Sequence, residues 1–298
     1  MNKRIIVVGS VSIDHTVYTK ELPGPGMTVK GESFFKNIGG KGANQAVQAH
    51  LLGSQVFFFA AVGNDLEGQY INSFLLEKGL SFKLKESKEQ TGTAHITLNM
   101  NNGENQILIV PGANNDILPS DIDAIEKELD NADILLTQLE CPIDTVDYLI
   151  RKAKEKGLTT VLNTAPYHKL DTSLYAYIDY FVPNEHELDG YVKDKCQGSY
   201  EEKARYMVNQ GIKNVIVTLG ENGSLLVNKD EVIKVNAHKV DAVDTTAAGD
   251  SYLGAFVHAL SEDKSVKEAM EFASLVSSIA VTKKGAIASL PSIDEVYK

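Results

Sequence analysis

The stretch Asp244-Thr-Thr-Ala-Ala-Gly-Asp250 joins two segments of opposite character, and it decides the fold prediction. Before it, Val235 to Val243 carries valines and alanines with polar residues between them, which favours a strand. After it, apolar residues recur at helical spacing, so a helix is predicted to begin near Ala248 or Gly249. The recurring residues are Tyr252, Leu253, Phe256, Val257 and Leu260.

The small residues of this loop would let a ligand approach the backbone, and its last residue is a carboxylate. The first N–H groups of a helix have no partner inside the helix, and with the helix dipole they form a site for an anion. Asp250 could take a proton from an attacking hydroxyl there, so the stretch predicts phosphoryl transfer. The alternative is structural, because an Asp in a first turn stabilises the helix dipole by roughly 0.3–1 kcal/mol.

A second small-residue stretch, Gly39-Gly-Lys-Gly-Ala-Asn-Gln-Ala46, also runs from a loop into a helical pattern. It is not a P-loop, because no Ser or Thr follows Lys41 and the glycine spacing differs. Nor is it the dinucleotide fingerprint, which requires a glycine pattern directly after the first strand; Gly9-Ser-Val-Ser-Ile-Asp14 lacks that pattern. The sequence therefore disfavours a nicotinamide-dependent enzyme.

Six further stretches accompany these two over nearly the whole chain: Gly9–Asp14, Gln138–Glu140, Asn163, Pro183–Glu187, Thr218–Gly223, and Val281–Gly285 through Ser289. Through all of them, in the family's order, the chain resembles the ribokinase-like family of carbohydrate kinases, also called the PfkB family. The resemblance implies an ATP-dependent kinase that phosphorylates the terminal hydroxyl of a sugar. A catalytically silent sugar- or nucleotide-binding protein is the alternative of another class, but that alternative predicts loss of Asp250 or its loop.

Composition agrees with this resemblance. The chain has 298 residues, 43% of them hydrophobic, which suffices for a large core, and its net charge of −11 argues against a nucleic-acid partner. No run of 18 apolar residues predicts a membrane span, and the short burst Ile5–Val8 reads as a strand. Two cysteines, Cys141 and Cys196, give no disulfide framework, so a reducing cytoplasm is expected.

Apolar runs and helical patterns alternate, which predicts an α/β fold with a mainly parallel sheet. Strands are predicted at Ile5–Val8, Val56–Val62, Ile134–Leu136, Thr159–Leu162, Tyr180–Val182 and Val215–Leu219. Helices are predicted at Ala43–Leu52, Leu66–Lys78, Ile122–Leu129, Ile143–Lys156, Glu201–Asn209 and Ser265–Thr282. A hairpin is predicted over Thr93 to Val110, with Asn-Gly in its turn.

The resemblance makes this one ribokinase-like three-layer α/β/α domain over residues 1–298. It also implies a small β-sheet lid over the sugar site, built from about 14–38 and 91–112. Family members often form homodimers through the lid, and an exposed sheet edge invites pairing, so a homodimer is expected.

For catalysis, the resemblance assigns Asp250 as the base that takes the proton from the sugar hydroxyl. It assigns the N–H groups of Ala247, Ala248 and Gly249 to the transferring phosphoryl group. Phosphoryl transfer depends on positioning and charge stabilisation, and an aligned carboxylate can accept the nucleophile's proton.

For the sugar, the resemblance assigns hydroxyl contacts to two carboxylates, Asp14 and Glu140, and to Gly40, Lys41 and Asn44 of the glycine-rich loop. Ser12 departs from the family pattern, since ribokinases usually carry an Asn that reaches a ribose hydroxyl. Ribose is the expected substrate, with deoxyribose as the nearest alternative and fructose or another ketose next.

For ATP and magnesium, Asn184 and Glu187 match an Asn-x-x-Glu motif that organises Mg²⁺, through Glu187 indirectly, and the nucleotide phosphates. Positions three apart share one face of a helix. A capping box, with Asn184 as N-cap, is the structural alternative and is compatible with this role. Thr218, Gly220 and Gly223 match the family's nucleotide-binding turn, and Gly249 lies beside the phosphates.

For K⁺, the resemblance implies a site that combines backbone carbonyls with one carboxylate. Lys283 could contribute only its carbonyl, because its ammonium group would repel the ion. The residues matched to this site are Asp244, Thr246, Ala280, Lys283, Gly285 and Ser289.

Overall fold

The computed structural model describes residues 3–298, in which strands and helices alternate along most of the chain. The strands are β1 (Ile5–Val8), β2 (Ser12–Thr19), β3 (Gly31–Gly39), β4 (Val56–Gly63), β5 (Ser81–Ser87), β6 (Thr93–Asn99), β7 (Asn105–Val110), β8 (Ile134–Thr137), β9 (Thr159–Asn163), β10 (Tyr180–Val182), β11 (Asn214–Thr218), β12 (Ser224–Val227) and β13 (Val232–Val235). The helices are α1 (Lys41–Leu51), α2 (Leu66–Glu77), α3 (Pro119–Asp123), α4 (Glu126–Asp130), α5 (Ile143–Glu155), α6 (Glu185–Val192), α7 (Tyr200–Asn209), α8 (Ala248–Ser261), α9 (Val266–Ala280) and α10 (Ile293–Val296).

Nine strands form the large sheet, in the order β13-β12-β11-β10-β9-β8-β1-β4-β5. Its strands pair in parallel, except that β12 is antiparallel to both β11 and β13. The prediction of a mainly parallel central sheet is confirmed.

Helices cover both faces of this sheet. Within β1, Ile5 and Val7 pack into a core shared with α1, α8 and α9, while Ile6 and Val8 pack into a second core shared with α5 and α7. Because successive strand residues point to opposite faces, one apolar run supplies both cores. The predicted three-layer α/β/α architecture follows from this alternation and is confirmed.

Four strands form a separate small sheet, in the order β3-β2-β6-β7. The predicted hairpin is present, since β6 and β7 are antiparallel and are joined through the Asn-Gly turn. Strands β3 and β7 are the two edges of this sheet, and all residues of β7 are exposed. The two segments predicted to build a lid, 14–38 and 91–112, supply most of this sheet; its closure over a sugar stays a prediction.

The strand predicted over Val235 to Val243 is wrong beyond its first residue. Strand β13 ends at Val235, which pairs with Ser224, the first residue of β12. Beyond that pair no neighbouring strand continues the ladder, so residues 236–247 follow an irregular path. The helix predicted after this segment begins at Ala248, as expected.

The helix predicted over Ile122 to Leu129 is also wrong, because the segment divides into α3 and α4. The helix is interrupted at Ile125, whose φ of −116° and ψ of 23° lie outside the helical range, and both Ile122 and Ile125 are fully buried. Strands β5, β12 and β13 were not predicted, since lysines interrupt the apolar residues of β5 and β13, and β12 is only four residues long. Within residues 3–298, no helix is long and apolar enough to cross a membrane.

Candidate active site

The site lies where the strand order of the large sheet changes direction. Strand β1 lies between β4 and β8, so the chain segments that leave β1 and β8 separate at the carboxyl edge and open a crevice. Ser10 follows β1 and Glu140 follows β8, and the Ser10 hydroxyl donates to the Glu140 carboxylate. Topology therefore brings together two loops that are far apart in sequence.

The glycine-rich loop enters α1 across this crevice. Gly40 adopts a φ of 89°, a conformation that favours glycine, and a Cβ on Gly42 would lie 2.6 Å from the carbonyl carbon of Gly9. The glycines thus let α1 start directly against the end of β1. The backbone N–H of Lys41 then donates to Glu140 Oε2 over 3.1 Å.

Asp250 lies in the first turn of α8, and its residue is only 6% exposed. Its two carboxylate oxygens each accept one hydrogen bond from α1: Asn44 Nδ2 donates to Oδ2 and Gln45 Nε2 donates to Oδ1, both over 2.8 Å. A carboxylate offers about four lone-pair positions, so each oxygen keeps one for another donor. The loop of the first small-residue stretch and the helix of the second therefore meet at this carboxylate.

The backbone at the start of α8 presents free donors. Ala247 holds a left-handed φ of 61°, and among the described residues the N–H groups of Ala247, Gly249 and Asp250 make no hydrogen bond to the protein. The N–H of Ala248, by contrast, donates to Thr245 O over 3.1 Å. Of the three predicted donors, those of Ala247 and Gly249 are thus free for a ligand, and Asp250 supplies a further one.

Two more carboxylates, those of Asp14 and Glu140, lie near Asp250. Asp14 is the third residue of β2, and Ser12 Oγ donates to its Oδ1 over 3.2 Å. Burial raises the pKa of Asp14 to about 6; the Ser12 hydrogen bond opposes this shift, and the charges of Glu140 and Asp250 add to it. Such a carboxylate gains from hydroxyl donors that replace lost water.

Lys41 supplies a positive charge to the carboxylate cluster, which consists of Asp14, Glu140 and Asp250. Burial alone would lower the pKa of its ammonium group, but the carboxylates of Asp250, Glu140 and Glu187 outweigh burial and raise that pKa. Asn44 adds an acceptor, because its buried Oδ1 has no hydrogen-bond partner while its Nδ2 is held by Asp250. An orphaned buried acceptor is costly, and a ligand hydroxyl would satisfy it.

A cavity of about 990 Å³ extends from Lys41 and Asp250 along the carboxyl edge of the sheet. Thr218 at the end of β11 lines it, together with Gly220 and Gly223 of the following turn, both of which have positive φ. The irregular segment after β13, including residues 237–240, forms another wall. This volume lies in the range of pockets that bind cofactors.

Asn184 and Glu187 line the same cavity and form the capping box that the sequence offered as the structural alternative. Asn184 Oδ1 accepts from the N–H of Glu187, and the Glu187 carboxylate accepts from the Asn184 backbone, the Asn184 amide and Thr164 Oγ1. Both carboxylate oxygens thus have protein donors. Direct coordination of a cation would compete with these bonds, whereas contact through water would not.

Three of the residues predicted for K⁺, namely Asp244, Thr246 and Gly285, meet where two loops come together. Asp244 accepts from the N–H of Thr246 and of Gly285, both over 2.9 Å. Burial raises the pKa of Asp244, but the side-chain and backbone hydrogen bonds from Thr246, the N–H of Gly285 and the charge of Lys284 together outweigh burial and hold that pKa below its ordinary value. The Lys283 ammonium group lies 2.5 Å from Glu295, so only the Lys283 backbone is free for the loop. Ala280 and Ser289 are both buried; Ala280 ends α9, and Ser289 lies a few residues before α10.

Three contributors to the site were missed. The sequence assigned no role to Ser10, Gln45 or Gln138. In the structure, Ser10 donates to Glu140, Gln45 donates to Asp250, and Gln138 donates to Gln45. Buried amides and hydroxyls carry no sequence signal of their own. A polar residue inside the apolar face of α1 was the available hint.

Nearly the whole chain fits one known family. Residues 2–293 match the model of the pfkB family carbohydrate kinases, so the chain belongs to this family of sugar kinases.

Several relatives agree with that family over their full length. The ribokinase of Staphylococcus aureus is 36% identical over 307 residues, with 99% of each chain covered. The deoxyribokinase of Salmonella typhi is 37% identical over 297 residues, with 98% of this chain and 96% of the relative covered. The structure of Arabidopsis thaliana ribokinase complexed with ribose and ATP superposes with a TM-score of 0.88 at 30% identity, over 100% of this chain and 98% of that one.

Proposed function

We propose that the protein transfers the terminal phosphoryl group of ATP to the terminal hydroxyl of D-ribose, giving D-ribose 5-phosphate. The observation that carries the proposal is the placement of Asp250, a buried carboxylate held by two amides beside free N–H groups of a helix start. That placement joins a base and an anion site within one helical turn.

In the proposed mechanism, Asp250 accepts the hydroxyl proton as the sugar oxygen attacks the γ-phosphorus, and ADP leaves. The free N–H groups of Ala247 and Gly249 stabilise the charge on the transferring phosphoryl oxygens. Lys41, which lies between the carboxylate cluster and the nucleotide cavity, neutralises charge on the same group. Closure of the small sheet over the sugar would exclude water from the donor.

The sugar itself is assigned to the side chains of Asp14, Glu140 and Asn44. Two carboxylates and one orphaned amide oxygen supply acceptors for neighbouring hydroxyls. The relative from Arabidopsis thaliana is named as a complex with ribose and ATP, which supports the same pair of ligands here.

ATP is assigned to the cavity lined by Thr218, Gly220 and Gly223. Mg²⁺, when bound, would neutralise charge between the phosphates; Glu187 and Asn184 would hold it through water, because both Glu187 oxygens already accept protein hydrogen bonds. K⁺ is assigned to Asp244 and neighbouring carbonyls, where it would stabilise the loop that precedes α8.

Deoxyribose is the second candidate substrate, and two observations favour it. The Salmonella typhi relative, which is named a deoxyribokinase, is as similar as the ribokinase relative. In addition, the short Ser12 side chain is bonded to Asp14 and reaches less far than an asparagine would.

The assembly we propose is a homodimer formed through the small sheet. On β7, Ile107, Leu108 and Ile109 are all exposed although they are large and apolar. An exposed apolar edge strand is a site for pairing with another chain.

The test is release of ADP from magnesium-ATP with ribose, deoxyribose and fructose at equal concentrations, each in potassium and in sodium. We expect ribose to be preferred and potassium to activate, and we expect Asp250→Asn to lose about 10²–10⁴ in kcat. Turnover of deoxyribose or fructose with little ribose activity would keep a kinase and refute ribose as its substrate. Release that no sugar stimulates would favour a silent binder.

A matched variant sharpens the choice between the two pentoses. Ser12→Asn introduces the longer amide, which can donate to or accept from the 2-hydroxyl that deoxyribose lacks. We expect the ratio of kcat/KM for ribose over deoxyribose to rise roughly tenfold, about the worth of one good hydrogen bond. An unchanged ratio would remove Ser12 from the substrate contacts.

A further inference from the structure

The proposed base has a second layer of support that crosses the crevice between β1 and β8. Gln45 donates to Asp250, and Gln138, which directly follows β8, donates through its Nε2 to Gln45 Oε1 over 2.6 Å. Both glutamines are fully buried. An unbroken path of side-chain hydrogen bonds therefore runs from the edge of the central sheet to the carboxylate.

The direction of this path is fixed by chemistry. An ionised carboxylate only accepts, so Gln45 must turn its NH₂ toward Asp250 and its carbonyl away. That carbonyl can only accept, so Gln138 must turn its own NH₂ toward Gln45. The path has one possible polarity, and it ends on an oxygen of the base.

Packing holds the far end of the path. A Cβ on Gly9 would lie 1.9 Å from Gln138 Oε1, so the amide of Gln138 fills the space that a larger residue at the end of β1 would occupy. Gln138 therefore cannot retreat without moving β1 or losing its contact with Gln45.

On the basis of the proposed kinase function, we infer that Gln45 and Gln138 are positioning residues that aim the Asp250 carboxylate at the sugar hydroxyl. Asn44 holds the other oxygen, so the carboxylate plane is fixed from two sides. A base fixed in this way needs no reorientation when substrate binds, which favours a high kcat rather than tight sugar binding.

A third glutamine of α1 provides the matched control. Gln48 is equally buried, but it binds the Ser251 hydroxyl and the carbonyl of Pro291, both over 2.9 Å, and not Asp250. Loss of a buried amide at position 45 or 48 should cost similar stability. Only the loss at position 45 should change the chemistry.

The experiment measures kcat, the KM for the sugar, and thermal unfolding of Gln45→Met, Gln138→Met, their double variant and Gln48→Met. We expect Gln45→Met to lower kcat roughly 10- to 100-fold with little change in sugar KM, as for loss of a hydrogen bond to a charged group. Gln138→Met should lower kcat less, and the double variant should match Gln45→Met alone, because the outer bond acts through the inner one. Gln48→Met should lower the unfolding temperature and keep kcat.

Wild-type kcat in Gln45→Met, an equal loss of kcat in Gln48→Met, or additive losses in the double variant would each overturn the inference. If Gln45→Met does not fold, Gln138→Met decides alone: a lowered kcat supports the inference and an unchanged kcat refutes it. A wild-type protein that releases no ADP with any sugar would instead refute the proposed function, so the two failures are distinct.

Discussion

The two sheets of this protein treat their surfaces in opposite ways. In the large sheet, helices cover both faces, and every residue of β1 and β8 is buried. In the small sheet, the edge strand β7 is exposed along its whole length, and most of β3 is exposed as well. The central strands of the large sheet are thus covered by the chain itself, whereas the small sheet leaves apolar surface exposed.

The candidate site divides between these two sheets. Asp250 is carried by the helical layer over the large sheet and is held by side-chain amides of α1. Asp14 is carried by the small sheet, and within residues 3–298 its side chain accepts a hydrogen bond only from Ser12, on the same strand. The carboxylate of Asp250, the proposed base, is therefore held by hydrogen bonds before substrate binds. The carboxylate of Asp14, proposed to bind the sugar, has fewer protein hydrogen bonds and more capacity to accept them from a ligand.

The largest expected effect concerns how much a residue of each sheet contributes to the free energy of unfolding. Phe58 in β4 is fully buried, so Phe58→Ala should lower the free energy of unfolding by about 3–5 kcal/mol. Phe34 in β3 is 57% exposed, so Phe34→Ala should change it by less than about 1 kcal/mol. Urea unfolding of both variants measures the difference. Similar losses would contradict the view that the small sheet contributes little to the core.

The next effect concerns the carboxylate of the small sheet. Asp14→Asn removes the charge proposed to accept sugar hydroxyls, so the KM for the sugar should rise roughly 10- to 100-fold. The KM for ATP should stay near its wild-type value, since Asp14 does not line the nucleotide cavity. Initial-rate kinetics with each substrate varied in turn would test this, and an equal rise in both KM values would count against it.

The same residue predicts a pH dependence. Because burial raises the pKa of Asp14 from its ordinary value of 3.8 to about 6, sugar affinity should fall as the pH drops through 6 and the anion is lost. Stability should move the other way: the folded state binds this proton more tightly, so stability falls as the pH rises from 3.8 to about 6, and the destabilisation is complete above pH 6. Asp14→Asn should therefore raise the unfolding temperature at pH 8, and the gain should vanish below about pH 3.8.

Periodicity carried the prediction of the large sheet, and family resemblance carried that of the site. The central strands are apolar runs bounded by turn residues, so they were found within a residue or two, as at Tyr180–Val182. The prediction of a strand over Val235–Val243 failed because the strand ends where its partner β12 begins. That pairing is a tertiary contact, which local sequence does not specify. The prediction of one helix over Ile122–Leu129 also failed, since Ile125 leaves the helical conformation (φ −116°, ψ 23°) although the apolar spacing continues through it.

Within the candidate site, the motif residues could be assigned one by one, but the bonds between them could not. No spacing rule predicts that Gln45 meets Asp250, because 205 positions separate them and only the strand order brings their helices together. The capping box of Asn184 and Glu187 shows the opposite case: it was readable from the sequence because both partners lie in one turn.

The smallest expected effect tests the proposed dimer and depends on the two faces of the small sheet. Register places Ile109 beside Ala94 and Asp14, on the face that carries the sugar carboxylate. Leu108 lies beside His95 and His15, whose stacked rings mark the other face. Ile109 and Leu108 are 64% and 72% exposed, so exposure alone does not distinguish them.

We expect a second copy of the small sheet to cover the face with Ile109, because that face borders the proposed sugar site and covering it would help to exclude water from the bound sugar and the phosphoryl donor. Ile109→Lys should therefore raise the dimer dissociation constant by roughly tenfold or more, since a desolvated charge has to be accommodated in an apolar contact. Leu108→Lys, on the opposite face, should leave it nearly unchanged. Sedimentation equilibrium of the two variants measures both constants. Equal weakening would mean that the chains meet along the edge strand rather than through one face, and a monomeric wild type would leave the apolar face to a different partner.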